Sequence, residues 1–150
     1  QPKFAKPDRM ISTPKLNRVL FIDDDEATNK FHLAFSKDIN LAKSIEVYAD
    51  AQSALSVLEK ITDKYDFPEL IFVDINMPRI DGHEFTQQIQ DMAGYNPNRT
   101  CVALLTSSKN INDVIQADEN QVEYYYWKPL TEKTVNRILK DALGINSPPE

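Results

Sequence analysis

The sequence predicts one α/β domain on a doubly wound, five-stranded parallel sheet with five helices. Three observations predict it. Short, nearly continuous apolar runs alternate with stretches whose apolar residues recur at helical spacing, the pattern of strands buried on both faces by helices. Polar residues able to do chemistry come directly after four of the five runs. The chain has 150 residues and a 41% hydrophobic composition, enough to enclose one ordinary core and too little for two.

Residues 1–17 hold Pro2, Pro7 and Pro14 among scattered basic residues, with neither a helical nor an alternating period. They are expected to be a tail or linker, either a tether to something upstream or added residues before a native start at Met10. The domain is then expected over 18–144, with 145–150 a second tail. Val19–Ile22 reads as a first buried strand. Glu26–Asp38 comes next as a helix whose apolar face is Ala27, Phe31, Ala34 and Phe35. Ile45–Tyr48 alternates as a half-exposed edge strand does, and Ala51, Ala54, Leu55 and Leu58 mark the second helix. Leu70–Val73 is the third strand, and a helix from Gly82 to Met92 is expected to stop at Gly94. Val102–Leu105 is the fourth, with a helix carrying Ile111, Val114 and Ile115 after it. Val122–Trp127 is the fifth, and Val135, Ile138, Leu139 and Ala142 stripe a last helix that ends at Gly144.

Composition narrows the function. A net charge of −6 lacks the basic face with which nucleic-acid binders replace counterions, so no direct nucleic-acid contact is expected. No apolar run approaches the roughly 18 residues of a membrane span, and no signal-peptide centre opens the chain. The single cysteine, Cys101, lies in an apolar run and reads as a small buried hydrophobe. With no internal disulfide available, the expectation is a cytoplasmic protein.

Ligands of an open parallel sheet bind beyond the carboxyl ends of its strands, where strand order reverses. The first run delivers Asp23 and Asp24, the third Asp74, the fourth Thr106 and Ser107, and the fifth Lys128 before Pro129. Any one of these alone would be an ordinary cap or turn former, as Asp25 and Glu26 are expected to be. Together they are acid, acid, hydroxyl and amine at one mouth. Converging carboxylates repel, each pair by about 4 kcal/mol at ~4 Å and an effective dielectric near 20. Lys128 offsets one charge and a divalent ion offsets two. With no His or Cys at the strand ends, Mg²⁺, or Mn²⁺ in its place, suits the oxygen donors better than zinc. An ion held by few carboxylates keeps open positions, the arrangement used to handle phosphoryl groups.

The runs Val19-Leu20-Phe21-Ile22-Asp23-Asp24-Asp25-Glu26, Ile71-Phe72-Val73-Asp74-Ile75-Asn76-Met77-Pro78-Arg79-Ile80-Asp81-Gly82, Leu104-Leu105-Thr106-Ser107 and Tyr125-Tyr126-Trp127-Lys128-Pro129 carry a family resemblance. From Arg18 to about Leu143 the chain resembles the receiver domain of two-component response regulators, chemotaxis-regulator-like. The resemblance implies a flavodoxin-like strand order 2-1-3-4-5. It implies that Asp74 accepts a phosphoryl group from a histidine kinase or histidine phosphotransfer protein. It also implies that Asp24 and Asp74 bind Mg²⁺ through side chains, Asn76 through its carbonyl and Asp23 through a water. Lys128 would contact the phosphoryl group before a cis Pro129, Thr106 would move toward it, and Tyr125 would turn inward behind Thr106. Ser107 fits a place where a larger side chain would block Asp74. Trp127 departs from the pattern, being bulkier than the small or aliphatic residue expected there. On this reading the chain is a switch that catalyses only its own phosphorylation and dephosphorylation and changes a surface read by a downstream protein.

Two rivals remain. A phosphohydrolase of the haloacid-dehalogenase type uses the same residue types, but its nucleophile lies in a D-x-D pair on the first of these strands and its acidic pair comes late, whereas here the pair Asp23-Asp24 comes first and Asp74 is followed by Ile75-Asn76. A degenerate, unphosphorylated receiver is disfavoured by the complete set Asp23, Asp24, Asp74, Thr106 and Lys128. His83, just past Gly82, is expected to be a solvated first-turn residue, and His32 to be equally without function.

Overall fold

A computed structural model describes residues 13–107 and 124–145. Its nine elements are β1 (Leu16–Ile22), α1 (Glu26–Asp38), β2 (Ala42–Tyr48), α2 (Ala51–Glu59), β3 (Leu70–Asp74), α3 (Gly82–Ile89), β4 (Cys101–Thr106), β5 (Tyr124–Trp127) and α4 (Glu132–Leu143). The strands form one parallel sheet in the order β2-β1-β3-β4-β5. Four of the five expected helices lie among the described residues. The helix expected around Ile111, Val114 and Ile115, and the Val122 end of the fifth strand, lie outside them.

Alternation along the strands splits the core into two layers. Val19, Phe21, Phe72, Ala103 and Leu105 point to the face covered by α1 and α4, where Val135, Ile138 and Leu139 pack. Leu20, Ile22, Ile71, Val73 and Leu104 point to the other, covered by Ala54, Leu55 and Leu58 of α2 and Phe85 and Ile89 of α3. β2 is an edge strand as expected, and Cys101 is buried. Gly144 ends α4 in the left-handed conformation (φ 68°), with the Ile145 N–H bonded to the Leu139 carbonyl at 2.8 Å. Among the described residues no helix is long and apolar enough to cross a membrane.

Three expectations are corrected. β1 begins at Leu16, which is 2% exposed, so the first strand takes two residues from the presumed tail. The Leu16 N–H bonds the Leu41 carbonyl at 3.0 Å, and pairing with β2 extends the strand past the apolar run. α3 stops at Ile89 with Gln90 as its cap, and Gly94 serves a different end. A Cβ there would stand 2.5 Å from the Ile61 carbonyl oxygen and 2.9 Å from the Phe67 ring, so Gly94 permits a close approach of two loops. Gly94→Ala is therefore expected to cost about 2 kcal/mol by overpacking, read as a lower urea midpoint with unchanged slope.

The third correction concerns α1. Ala27, Phe31 and Ala34 face solvent and Phe35 is half-buried, while the fully inward residues are Asn29, His32 and Ser36. Each polar residue has a local reason to be inside. Asn29 donates Nδ2 to the carbonyls of Asp23 (2.8 Å) and Tyr48 (3.2 Å), tying the helix to the ends of two strands. His32 stacks on Phe21 with ring centres 5.0 Å apart, and Phe21 stacks in turn on Phe72 at 4.8 Å. Ser36 is small enough to sit flush against the sheet.

Candidate functional site

Strand order reverses between β1 and β3, whose partners lie on opposite sides, and the cleft there is where this architecture places ligands. Asp23 comes directly after β1 and is still in the ladder, its N–H bonded to the Tyr48 carbonyl at 3.0 Å. Asp74 is the last residue of β3, and the Ile75 N–H continues to the Leu105 carbonyl at 3.0 Å. The backbone therefore fixes both carboxylates. Gly82 folds the β3–α3 loop back on this end, its N–H bonded to the Ile75 carbonyl at 3.0 Å; a Cβ would press on the Asp74 carbonyl oxygen at 3.0 Å. Asp81 and Glu84 close that turn as a capping box.

Asp23 is 3% exposed and Asp74 7%, while Asp24 is open to solvent. Carboxylate oxygens of all three lie within 4.8 Å of one another. Lys128 sits between the two buried ones: its Nζ is 2.6 Å from Asp23 Oδ2 and 3.2 Å from Asp74 Oδ1. Its backbone N–H bonds the Thr106 carbonyl at 2.8 Å, and its peptide bond to Pro129 is cis. The second oxygen of Asp23 accepts the Asp25 N–H at 2.9 Å, and Asp74 Oδ1 accepts the Asn76 N–H at 3.4 Å.

Burial, and then the charge of Asp23, push Asp74 above the ordinary carboxylate value, although Lys128 works in the opposite direction. For Lys128, burial disfavours the ammonium, but the bond to Asp23 and the charges of Asp74 and Asp23 outweigh it and hold the group above the usual lysine value. The lysine is therefore a fixed cation set against two acids, and one negative charge plus the exposed Asp24 remain to be met. An all-oxygen donor set of this sign, opening on solvent, fits a hard divalent ion such as Mg²⁺.

The site opens into a cavity of about 560 Å³. Asp23, Asp24, Asp74, Asn76, Ser107, Lys128 and Pro129, all named from the sequence, line it. Thr106 is fully buried at the end of β4, beneath this layer. Tyr125 packs on the α2–α3 side of the core and meets Trp127 edge to face, ring centres 5.9 Å apart, as strand alternation requires. Phe31 and His32 also line the cavity, and sequence reasoning assigned neither to it. His83, expected to be solvated, is 2% exposed, and His32, expected to be without function, is 1% exposed. Period alone could not find them, because a polar residue at an inward position reads as solvent-facing.

Comparison with known proteins supports the same reading. The family model described as response regulator receiver domain matches residues 19–140. The probable methanogenesis regulatory protein FilR2 of Methanothrix harundinacea is 27% identical over 136 residues, covering 87% of this chain and 86% of that protein. The osmosensing histidine protein kinase SLN1 of Saccharomyces cerevisiae is 23% identical over 126 residues, 83% of this chain but 10% of the kinase. A two-component response regulator from Cytophaga hutchinsonii superposes with a TM-score of 0.73 at 29% identity, covering 87% of this chain and 99% of that one. Strand order, the acid–lysine cluster at its reversal and a family match across both lead to one assignment: this chain belongs to the response regulator receiver domains.

Proposed function

We propose that the chain is a phosphorylation switch in which Asp74 takes a phosphoryl group from a phosphohistidine of a histidine kinase or phosphotransfer protein. The observation that carries this reading is the placement of Lys128 between Asp23 and Asp74 at the floor of an open cavity. An Asp74 oxygen attacks phosphorus, the bond to the donor nitrogen breaks, and the donor imidazole leaves. Burial raises the basicity of the attacking oxygen. Asp24 and Asp74 would hold Mg²⁺ by their side chains and Asn76 by its carbonyl, with Asp23 acting through a water and Mn²⁺ as the alternative ion. When bound, the ion supplies charge neutralisation for the phosphoryl oxygens.

Lys128 holds a further phosphoryl oxygen, and Ser107 leaves the approach to Asp74 clear. The modification adds about −1.5 to −2 charge and new acceptors. Thr106 moves toward those acceptors and Tyr125 turns into the space behind it, altering the surface met by a downstream protein. Pro129 sets the backbone from which Lys128 reaches in. Histidine kinases among the relatives support a kinase partner. The net charge supports an output through protein and not through nucleic acid.

Acetyl phosphate with Mg²⁺ should add one phosphoryl mass per chain, and Asp74→Asn should abolish the addition. Intact-mass spectrometry checks this, and modification of the Asn variant at the wild-type rate would move the acceptor elsewhere.

A further inference from the structure

One buried polar side chain of α1 ends on the backbone of a candidate metal ligand. Asn29 is 6% exposed, and its Nδ2 donates to the Asp23 carbonyl at 2.8 Å and to the Tyr48 carbonyl at 3.2 Å. Both partners are acceptors, so only the nitrogen of the amide can face them. The Tyr48 carbonyl also accepts the Asp23 N–H at 3.0 Å. Both backbone polar groups of Asp23 are therefore anchored at one point, where β1 ends beside β2. The Asp23 carbonyl belongs to the peptide unit that links Asp23 to Asp24, and because that unit is planar, fixing its oxygen fixes the direction in which the chain enters Asp24. Beyond Asp24, the Asp25 N–H is bonded to Asp23 Oδ1 at 2.9 Å, and the Asp25 carbonyl accepts the Asn29 N–H at 3.1 Å. Asp24 is itself exposed, so its carboxylate is aimed by a backbone that Asn29 holds on both sides.

We propose that Asn29 is a positioning residue of the cation site, its amide holding the Asp23–Asp24 peptide so that the Asp24 carboxylate stays within ligating reach of Asp23 and Asp74. The inference rests on the reading of these three acids, whose oxygens lie within 4.8 Å of one another, as a metal site. They are held unequally. Asp23 is bound by Lys128 and by the Asp25 N–H, and Asp74 by Lys128, by the Asn76 N–H and by its place at the end of β3. Asp24 relies on its backbone, and with no ion bound the two neighbouring acids repel it outward. Once the bonds from Asn29 are removed, the turn can yield to that repulsion. An ion then binds only the fraction of molecules with the turn in place, and the apparent affinity falls by that fraction. Groups that orient metal ligands typically contribute about 10–100-fold in affinity. A role confined to anchoring α1 would lower stability and leave the affinity of the folded protein unchanged.

The test is an NMR titration of the whole chain with MgCl₂ alone, on wild type, Asn29→Leu, Asn29→Ala and Thr100→Val. Leucine is close to asparagine in shape and donates nothing. Thr100→Val is the control: Thr100 is equally buried and donates Oγ1 to the Pro68 carbonyl at 2.9 Å, a side-chain bond to backbone at the other end of the strands, just before β4. Both Asn29 variants should bind Mg²⁺ about tenfold more weakly, read from the amides of Asp74 and Asn76, whereas Thr100→Val should keep the wild-type affinity although its urea midpoint falls. Before any Mg²⁺ is added, Asn29→Leu should move the amides of Asp24 and Asp25 and leave those of Asp74 and Asn76 in place. If the Asn29 variants bind Mg²⁺ as wild type does, or if Thr100→Val weakens it as much as they do, the proposal fails and the metal site stands. Should neither Asn29 variant fold, the wild type decides. Its Asn29 side-chain amide protons should exchange slowly and shift with the same Mg²⁺ dependence as the Asp24 amide, and protons that exchange freely or ignore the ion overturn the proposal. If the wild-type backbone amides do not respond to Mg²⁺ at all, the metal site itself fails, and the role of Asn29 with it.

Discussion

Lys128→Met is expected to destabilise the domain by about 3–5 kcal/mol at neutral pH without divalent ions, because it leaves two buried carboxylates facing each other with no internal cation. An exposed pair would be worth little, but the side chains here are 14%, 4% and 9% exposed for Lys128, Asp23 and Asp74. The direction of each shift sets the pH dependence. Lys128 is raised in the folded state, so its contribution is complete below the ordinary lysine value near 10.5 and is lost as pH climbs through the raised one. Asp74 is also raised, so protonating it relieves repulsion, and the deficit of the variant should shrink as pH falls through the acid range. Millimolar Mg²⁺ should restore part of the loss by replacing the missing charge. Urea unfolding of both proteins at neutral and acid pH, with and without Mg²⁺, checks all three, and equal midpoints at neutral pH would show that the pair contributes nothing.

The second large effect lies at His32, whose pKa burial lowers from 6.5 to about 4; Asp23 resists that shift and Lys128 reinforces it. The unfolded chain binds a proton below about 6.5 that the folded chain refuses until about 4. Stability from this residue is therefore complete above the first value and lost as pH falls through the second, for a total of about 3 kcal/mol. Other groups titrate in the same interval, so the measurement is the difference between wild type and His32→Phe. That difference should change by about 3 kcal/mol between pH 7 and pH 4, with the variant losing less. Parallel stability curves across the interval would mean that the ring is already protonated, or equally accessible, in the folded protein.

The strands were legible because both faces of the sheet are covered: Val19–Ile22 and Leu70–Val73 had to be unbroken apolar runs, and no other element gives that pattern at that length. The strand-end residues were legible for a related reason, since a parallel sheet brings the carboxyl ends of its strands to one edge, and Asp23, Asp24, Asp74 and Lys128 meet there. The faces of α2 and α4 were legible too, since Ala51, Ala54, Leu55 and Leu58, and Val135, Ile138 and Leu139, are buried as their spacing predicts, but that of α1 was not. α1 was given the wrong side because Phe31 and Ala27 satisfy an apolar period, whereas the inward positions are held by Asn29, His32 and Ser36 through hydrogen bonds, a ring stack and small volume. Those interactions depend on Phe21, Asp23 and Tyr48 in other elements, and local periodicity carries no record of them. Gly94 illustrates the same limit: a glycine near a helix end reads as a cap, but here it answers to Ile61 and Phe67, which only the folded chain brings near.

The contact between Lys128 and Asp23 joins positions 105 apart in sequence. During synthesis the three acids leave the ribosome well before the lysine does, so β1 and β3 present an uncompensated negative edge for as long as the remaining residues take to appear. At about 5–20 residues per second, the 54-residue interval from Asp74 to Lys128 lasts several seconds. At that stage the residues of β1, β2 and β3 are all present, but the acid–lysine cluster at their edge is not complete. A truncated product that retains Asp74 but not Lys128 therefore lacks the lysine placed to meet its charge.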